Sequence, residues 1–311
     1  MVLLFLLIGL FMLISGAELL VRGGGQLALA LRIPALVVGL TIVAFGTSTP
    51  ELFVSVSSAL TKSSDMALAN VNGSNVANIA LVLGLAAMVR PLTVDRRLIR
   101  REIPTYMGLQ LAVGAMAFDG VLTRLDGGLL ILGGVVYNVW LLIDVQRQRG
   151  MASVEEVERD EGASPYIHLA YLVGGIGILA VGADIFVDNA YELAMRMGMS
   201  ERYVGITVLA LGTSAPEVAT AVVSARRGDV DLAIGNSIGS NILNIAMVLG
   251  ITCLIQPIEI SDPSTYKDIA VACLVGVVMV PIVMRDRILS RSEGGIMAVA
   301  YLLYLVMSGG S

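Results

Sequence analysis

The chain has 311 residues, of which 56% are hydrophobic and only 14% are charged, with a mean hydropathy of +0.85. Soluble domains carry about 25% charged residues, so this composition excludes an ordinary soluble protein and indicates a polytopic membrane protein. The net charge of −5 says little alone, because the placement of charge decides orientation in the lipid bilayer. Basic clusters interleaved with aromatic residues do not occur, so we expect no nucleic-acid partner.

Hydrophobic spans follow one another along the whole chain, each near the roughly 20 residues that a bilayer core requires. We predict helices at 1–21, 34–60, 66–89, 102–119, 122–144, 167–189, 200–225, 231–255, 267–284 and 292–309. The first of these lacks the basic n-region of a signal peptide. The prediction is therefore an all-α integral membrane protein with ten transmembrane helices.

The second span contains a polar stretch, AFGTSTPEL (44–52), inside an apolar run. Thr47 and Ser48 precede Glu51 by four and three residues, so the three side chains share one helix face. A charged residue at the bilayer centre costs about 2.5–3.5 kcal/mol on insertion scales and is functional by default. The alternative is a protonated, structural glutamate that is hydrogen-bonded to a neighbour.

Pro50 follows these hydroxyls and should disturb the helix, because proline lacks the backbone N–H and clashes with the preceding turn. We expect a kink or break near Gly46 that frees carbonyl groups around Ala44. Hydroxyls, carbonyls and a carboxylate form an all-oxygen ligand set. Hard cations such as calcium and sodium prefer such a set.

The third span carries a polar stripe at the spacing i, i+4, i+8, formed by Asn70, Ser74 and Asn78. One helix face is therefore amide and hydroxyl. The alternative to a binding site is helix packing, because small and polar residues are common at transmembrane interfaces.

The chain then repeats itself 166 residues later, on the far side of a short acidic linker. VGLTIVAFGTSTPE (38–51) aligns with VGITVLALGTSAPE (204–217), and NGSNVANIALVLG (72–84) aligns with IGSNILNIAMVLG (238–250). The second copy supplies matching polar residues: Thr213, Ser214, Glu217, Asn236, Ser240 and Asn244. Their repetition favours a site over packing.

Two homologous five-helix halves follow, 1–145 and 167–311, joined by the linker 146–166. An odd number of spans in each half inverts the second half in the membrane, as in many secondary transporters. With an outside N-terminus, 15 of the 20 Lys and Arg residues fall in inside segments. The positive-inside rule then predicts two extracellular termini and a cytoplasmic linker.

Two carboxylates facing one cavity carry a charge of −2, which matches one divalent cation and cannot fully neutralise three monovalent ones. Competition of the two ion types for overlapping oxygens is a physical route to obligatory exchange.

At these residues the sequence resembles the calcium/cation antiporter superfamily, and most of all its sodium/calcium exchanger branch. The resemblance covers essentially the whole chain through GTSTPE with NGSNVAN and GTSAPE with IGSNILN. It implies a cluster of cation sites with these ligands: Glu51 and Glu217, shared between ions; Thr47, Ser48, Thr213, Ser214 and the carbonyls of Ala44 and Ala210; Ser74 and Ser240 at peripheral sodium sites; and Asn78 and Asn244 beside the middle site.

The resemblance also implies a transporter rather than an enzyme, which exchanges about three sodium ions for one calcium ion by alternating access. The first and sixth helices would slide across a fixed core. Calcium and sodium ions would be bound substrates, no resident cofactor is expected, and a monomer in a prokaryotic plasma membrane is predicted. Some potassium-dependent members carry an acidic residue where this chain has Asn244, which argues against potassium cotransport.

Three alternatives stay open at this point. The proton/calcium branch is the main one, because motif shape indicates the fold better than the coupling ion. A cation channel is a second. An intramembrane aspartyl protease is the third and the weakest, since it needs a close pair of aspartates as acid and base.

Overall fold

The computed structural model describes residues 1–61, 64–148, 165–199 and 212–309, and these are almost entirely helical. The α-helices of the first half are α1 (Val2–Leu31), α2 (Ala35–Val38), α3 (Ala44–Thr47), α4 (Thr49–Leu60), α5 (Ser64–Ala77), α6 (Leu83–Val89), α7 (Ile103–Met116) and α8 (Arg124–Gln148). Those of the second half are α9 (Pro165–Arg196), α10 (Ala215–Arg227), α11 (Val230–Leu243), α12 (Gly250–Ile255), α13 (Ser264–Asp286) and α14 (Arg291–Gly309).

Short π-helical segments continue several of these helices: π1 (Gly39–Val43), π2 (Asn78–Val82), π3 (Leu98–Glu102) and π4 (Asn244–Leu249). A 3₁₀ turn covers Ala117–Asp119. The strands are two residues long: β1 (Leu92–Thr93), β2 (Val121–Leu122), β3 (Ile258–Glu259) and β4 (Ile288–Leu289). Helix α5, π2 and α6 therefore form one unbroken span, and α11, π4 and α12 form its counterpart.

Six helical stretches are long and apolar enough to cross a membrane, judged by length and composition: Val2–Leu31, Met66–Val89, Arg124–Asp144, Tyr166–Arg196, Val230–Ile255 and Ser264–Asp286. A further stretch joins Ala35–Thr47 to Thr49–Leu60 through a bend of 44°, so the kink expected near Gly46 is present and falls at Ser48. Within the described ranges, the spans predicted at 102–119, 200–225 and 292–309 do not meet this criterion. The count of ten therefore stays a prediction.

Two predicted helix boundaries are wrong. The first helix runs to Leu31 rather than ending at 21, because nothing interrupts its backbone hydrogen bonds until Arg32 turns left-handed at φ 54°. The sixth span runs from Pro165 to Arg196, well beyond 189. Apolar composition indicates only the part of a helix that lies in the lipid bilayer. The helix itself ends where its backbone hydrogen-bonding pattern is interrupted.

The linker predicted at 146–166 is also shorter than expected, because α8 continues to Gln148 and α9 already begins at Pro165. The segment 149–164 lies outside the described residues.

Helices α1 and α9 pack against each other in antiparallel directions along most of their length. Gly9 of α1 lies against Phe186, and Gly23 lies against Leu172. A Cβ added at these glycines would fall 2.8 Å from the backbone nitrogen of Phe186 and 2.6 Å from that of Leu172. The two backbones can approach this closely because the contacting residues carry no side chain.

Each half pairs its two short strands with strands of the other half. Strand β1 pairs antiparallel with β4, and β2 pairs antiparallel with β3. The sequence repeat places β1 on β3 and β2 on β4, so exchanging the halves converts one small sheet into the other. This is the contact pattern of a two-fold relation, and it brings both repeated motifs to a shared buried core.

Candidate cation-binding site

Glu51 and Glu217 occupy equivalent places in the first turns of α4 and α10, each directly after a proline. Proline is well tolerated at the start of a helix, because the N–H that it lacks would have no partner there. Both carboxylates are buried, with 1% and 0% of the residue surface exposed. They lie close enough to repel each other electrostatically.

Each carboxylate has one serine partner from its own half. The Ser74 hydroxyl donates to Glu51 Oε1 at 3.5 Å, and the Ser240 hydroxyl donates to Glu217 Oε1 at 3.4 Å. The second oxygen, Oε2, has no hydrogen-bond partner in either glutamate. Both carboxylates therefore keep one oxygen available to a ligand.

Thr47 connects the two halves. Its hydroxyl donates to Asn236 Oδ1 at 3.1 Å and lies 3.4 Å from the hydroxyl of Ser240. Thr47 also adjoins Glu217, and Thr213 adjoins Glu51 in the reciprocal direction. Residues of the first motif therefore surround the glutamate of the second, as the inverted arrangement predicts.

Ser48 and Ser214 occupy the N-cap positions of α4 and α10 and have the same φ of −84°. An N-cap serine ordinarily accepts a hydrogen bond from the first turn of its helix. Neither serine does so, and both hydroxyl oxygens are buried without a partner. These hydroxyls are thus available for coordination.

A reciprocal set of asparagines closes one side of the site. Asn78 Nδ2 donates to Asn241 Oδ1 at 3.0 Å, and Asn244 Nδ2 donates to Asn75 Oδ1 at 3.3 Å. The amide oxygens of Asn78 and Asn244 remain unpartnered. Both residues begin a π-helical segment, a distortion that is frequent at functional sites.

Asn75 and Asn241 were not singled out by the sequence patterns as site residues. They lie off the Asn–Ser–Asn stripes, one position after Ser74 and Ser240. Their identity in both copies of the repeat was the available signal. The Asn70 amide of the stripe donates to the Glu51 carbonyl at 3.3 Å, so it supports the backbone of the site.

The structure describes one of the two predicted carbonyl ligands, Ala44. The Ala44 carbonyl accepts the backbone N–H of Ser48 at 2.9 Å, so the expectation that the bend frees this carbonyl is wrong. The backbone N–H of Ser48 keeps its i→i−4 hydrogen bond, although the break between α3 and α4 falls at this residue. Ala210 lies outside the described residues.

The site therefore converges on buried oxygen atoms without partners, contributed by both halves: Ser48 Oγ, Glu51 Oε2, Asn78 Oδ1, Thr213 Oγ1, Ser214 Oγ, Glu217 Oε2 and Asn244 Oδ1. Buried polar atoms in native proteins are nearly always satisfied, by protein, water or an ion. Oxygen-only sets suit hard cations, whereas softer metals prefer nitrogen and sulfur. In the described part of the chain, His, Cys, Asp and Glu form no group of three or more that could hold a metal.

Comparison with known proteins gives consistent results. A sequence profile described as sodium/calcium exchanger protein matches residues 1–143 and 167–310. The chain is 38% identical to inner membrane protein YrbG of Escherichia coli K12, over 97% of this chain and 95% of that protein. It is 33% identical to the putative antiporter CaxA of Alkalimonas amylolytica, over 96% of each.

The fold is similar to a solved structure of the sodium-calcium exchanger NCX_Mj, from a crystal soaked with 2.5 mM Na⁺ and 1 mM Sr²⁺. The TM-score is 0.84 at 28% sequence identity, and the match covers 98% of this chain and 97% of that one.

Proposed function

The chain belongs to the sodium/calcium exchanger protein family and is thus a multi-pass cation exchanger of the cell membrane. We propose that it exchanges about three sodium ions for one calcium ion by alternating access. Both ions are substrates that bind in turn to the site between the two halves. The proposed activity is ion transport and not a chemical reaction.

The observation that carries this proposal is the pair of buried glutamates, Glu51 and Glu217, inside a set of unpartnered oxygens from both halves. Two carboxylates match the charge of one calcium ion. Sodium ions would occupy oxygens that overlap with the calcium site, so the two ion types would compete. The other proposed ligands are Thr47, Ser48, Thr213, Ser214, Ser74, Ser240, Asn78, Asn244 and the carbonyls of Ala44 and Ala210.

An inverted arrangement of ten spans is the architecture we propose for this exchange. The reciprocal pairing of β1 with β4 and β2 with β3 supports a two-fold relation between the halves. The uneven distribution of Lys and Arg supports extracellular termini. In such an arrangement, equivalent routes lead from one central site to opposite faces of the membrane.

Calcium uptake into reconstituted vesicles tests the coupling ion. Vesicles loaded with sodium and diluted into sodium-free buffer should accumulate calcium, and vesicles with equal sodium on both sides should not. A pH gradient without a sodium gradient should drive no uptake. Uptake that follows the pH gradient and ignores sodium would instead establish a proton/calcium antiporter. Uptake that needs no counter-ion would indicate a channel.

A further inference from the structure

An unbroken chain of side-chain amides links the proposed cation site to α7, a helix that supplies none of the proposed ligands. Asn244 Nδ2 donates to Asn75 Oδ1 at 3.3 Å, and Asn75 Nδ2 donates to Gln110 Oε1 at 3.4 Å. Gln110 Nε2 donates in turn to Asn72 Oδ1 at 2.8 Å, and Asn72 Nδ2 donates to the backbone carbonyl of Leu68 at 3.1 Å. The chain therefore runs from the site through α5 and α7 to a backbone acceptor.

Gln110 of α7 holds the central place in this chain. It bridges Asn72 and Asn75, which are three residues apart and so lie on one face of α5. All three residues are buried, with at most 1% of the residue surface exposed. Buried amides need partners, because an unmade hydrogen bond on a buried group is costly. Gln110 supplies an acceptor to one asparagine and a donor to the other.

The chain has one direction, and the backbone fixes it. A carbonyl can only accept a hydrogen bond, so the Leu68 carbonyl requires the NH2 group of Asn72 to face it and leaves Asn72 Oδ1 to face Gln110. By the same step, Gln110 turns its oxygen to Asn75, and Asn75 turns its own oxygen to Asn244. The NH2 group of Asn244 is thereby committed to this contact, and its Oδ1 is left buried without a partner.

This orientation decides what Asn244 presents to a cation. An amide oxygen can coordinate calcium or sodium, whereas an amide NH2 group cannot. Without the Gln110 oxygen, Asn75 would have a buried NH2 group with no acceptor, and nothing would hold its amide in place. Rotation of the Asn75 amide would set NH2 against NH2 at Asn244. A matching rotation of Asn244 would then aim a donor at the ion.

The asparagine of the first half is oriented by a shorter route. Asn78 Nδ2 donates to Asn241 Oδ1, and Asn241 Nδ2 donates directly to the backbone carbonyl of Asn75 at 3.1 Å. The repeat places Ile238 on Asn72, and α13, the counterpart of α7, contains no Asn or Gln. Within the described ranges, the amide chain through α7 therefore has no counterpart in the other half.

We propose that Gln110 is a positioning residue of the exchanger, which acts through Asn75 to hold the Asn244 amide with its oxygen toward the bound cation. The inference rests on the proposed function, because Asn244 is a ligand only if the site between the halves binds the transported ions. Gln110 would touch no ion itself. It would set the affinity of the site by selecting one of the two orientations of an amide.

Equilibrium binding of radioactive calcium to the purified protein tests this role. Gln110→Leu keeps the approximate size of the side chain and removes both hydrogen bonds. We expect the Kd for calcium to rise by about 10- to 100-fold, the usual loss when a residue that orients a metal ligand is replaced. Gln110→Glu keeps an acceptor for Asn75, so its Kd should not rise, since the added charge also favours a cation.

The matched control is Tyr106→Phe, one turn earlier on α7. Tyr106 is buried, and its hydroxyl donates to the backbone carbonyl of Ala272 at 3.0 Å. The variant thus also loses a buried hydrogen bond of this helix, but it leaves the amide chain intact. Tyr106→Phe and Gln110→Leu should both lower the midpoint of thermal unfolding, whereas only Gln110→Leu should raise the Kd. Equal rises in Kd would show a general effect of α7 and would overturn the proposal.

A double-mutant cycle identifies the ligand through which Gln110 acts. Once the amide is removed by Asn244→Ala, its orientation no longer matters. Gln110→Leu should then change the Kd by no more than about 2-fold, the error with which independent effects add. In the background of Asn78→Ala, the rise of about 10- to 100-fold should remain. Full multiplication of the losses of Gln110→Leu and Asn244→Ala would contradict the proposal.

Asn72→Ile provides a second variant, because the repeat carries Ile238 at the matching position. It leaves Gln110 in place and removes the acceptor that fixes the orientation of the Gln110 amide. Its Kd for calcium should rise by a smaller factor than that of Gln110→Leu. If Gln110→Leu does not fold and Asn72→Ile binds calcium as tightly as the wild-type protein, the proposal is wrong.

Failure of this inference and failure of the proposed function give different results. A wild-type Kd in Gln110→Leu, with sodium-driven calcium uptake intact in the wild-type protein, removes only the role of Gln110. A wild-type protein that binds no calcium overturns the proposed function, and the positioning role fails with it. Coupling to protons instead of sodium would change the driving ion and leave the expected calcium Kd values as they stand.

Discussion

Buried oxygens without partners make up the proposed cation site at the level of single residues. Glu51 and Glu217 lie in the first turns of their helices, where the positive end of the helix dipole favours a negative charge. Ser48 and Ser214 occupy N-caps without making the usual capping bond. The local structure thus holds charge and hydroxyls in place without consuming their coordinating capacity.

Removing either carboxylate charge should abolish exchange. Glu51→Gln and Glu217→Gln each leave one charge against a divalent ion, and we expect the rate of sodium-driven calcium uptake to fall by about 100-fold or more. Glutamine keeps the size of the side chain, so the purified protein should remain folded and monodisperse on gel filtration.

A matched control is Glu102→Gln, which alters another buried carboxyl, with 2% of its surface exposed and an unpartnered Oε2, outside the site. It should transport at close to the wild-type rate. Wild-type transport by Glu51→Gln or Glu217→Gln would remove that residue from the site.

Asn244→Asp should change ion selectivity. The substitution adds a third carboxylate beside the site and replaces the amide that donates to Asn75 Oδ1. We expect potassium to compete with sodium in this variant and to have no effect on the wild-type protein. Calcium uptake measured over a series of potassium concentrations checks this, with the reciprocal Asn78→Asp as the comparison. Identical potassium responses in Asn244→Asp and wild type would contradict the prediction.

At the scale of elements, the α1–α9 pair depends on close backbone approach. A Cβ added at Gly175 would fall 2.6 Å from the backbone nitrogen of Leu20 and 2.7 Å from the carbonyl oxygen of Gly16. Neither atom can move without shifting its helix. A contact as tight as this would hold the two helices together if they slide across the core as one unit.

Gly175→Ala should destabilise this pair. Overpacking of a tight contact costs about 1–3 kcal/mol, so we expect a lower midpoint of thermal unfolding in detergent and slower exchange. The neighbouring Gly174→Ala is the matched control, because nothing lies within 4 Å of a Cβ added there. It should be neutral, or stabilising by up to about 1 kcal/mol through helix propensity. Equal effects of the two substitutions would show that the close approach is unimportant.

At the scale of the whole molecule, the two halves act as reciprocal partners. The strand pairs β1–β4 and β2–β3 and the amide pairs Asn78–Asn241 and Asn75–Asn244 are exchanged by the same two-fold relation. This conformation is not fully symmetric, since α1 packs against Val223 of α10 and α9 shows no comparable packing against α4 among the described residues.

The inverted arrangement predicts the side on which each terminus lies. Protease-cleavable tags at the N-terminus and at the C-terminus should both be removed from intact cells, because an even number of spans returns the chain to the starting side. A tag inserted in the linker should be cleaved only after the membrane is permeabilised. Opposite accessibility of the two termini would exclude an even number of spans.

Composition and internal repetition were enough to predict the membrane class, the two repeats and most of the proposed ligands. Composition alone identifies a membrane protein, because a bilayer demands long apolar helices. Nearly identical polar motifs at a fixed spacing predict the proposed site, because lipid disfavours every unneeded polar group. Neither inference required knowledge of which helices touch.

Tertiary structure decided the contacts between the halves. Asn75 meets Asn244, and Arg227 meets Glu18, although 169 and 209 residues separate these pairs along the chain. It also decided that the Ala44 carbonyl keeps its hydrogen bond and that α1 packs against Val223 of α10. Periodicity assigns a residue to a face of its helix, but the partner of that face is fixed only when helices distant in sequence pack together.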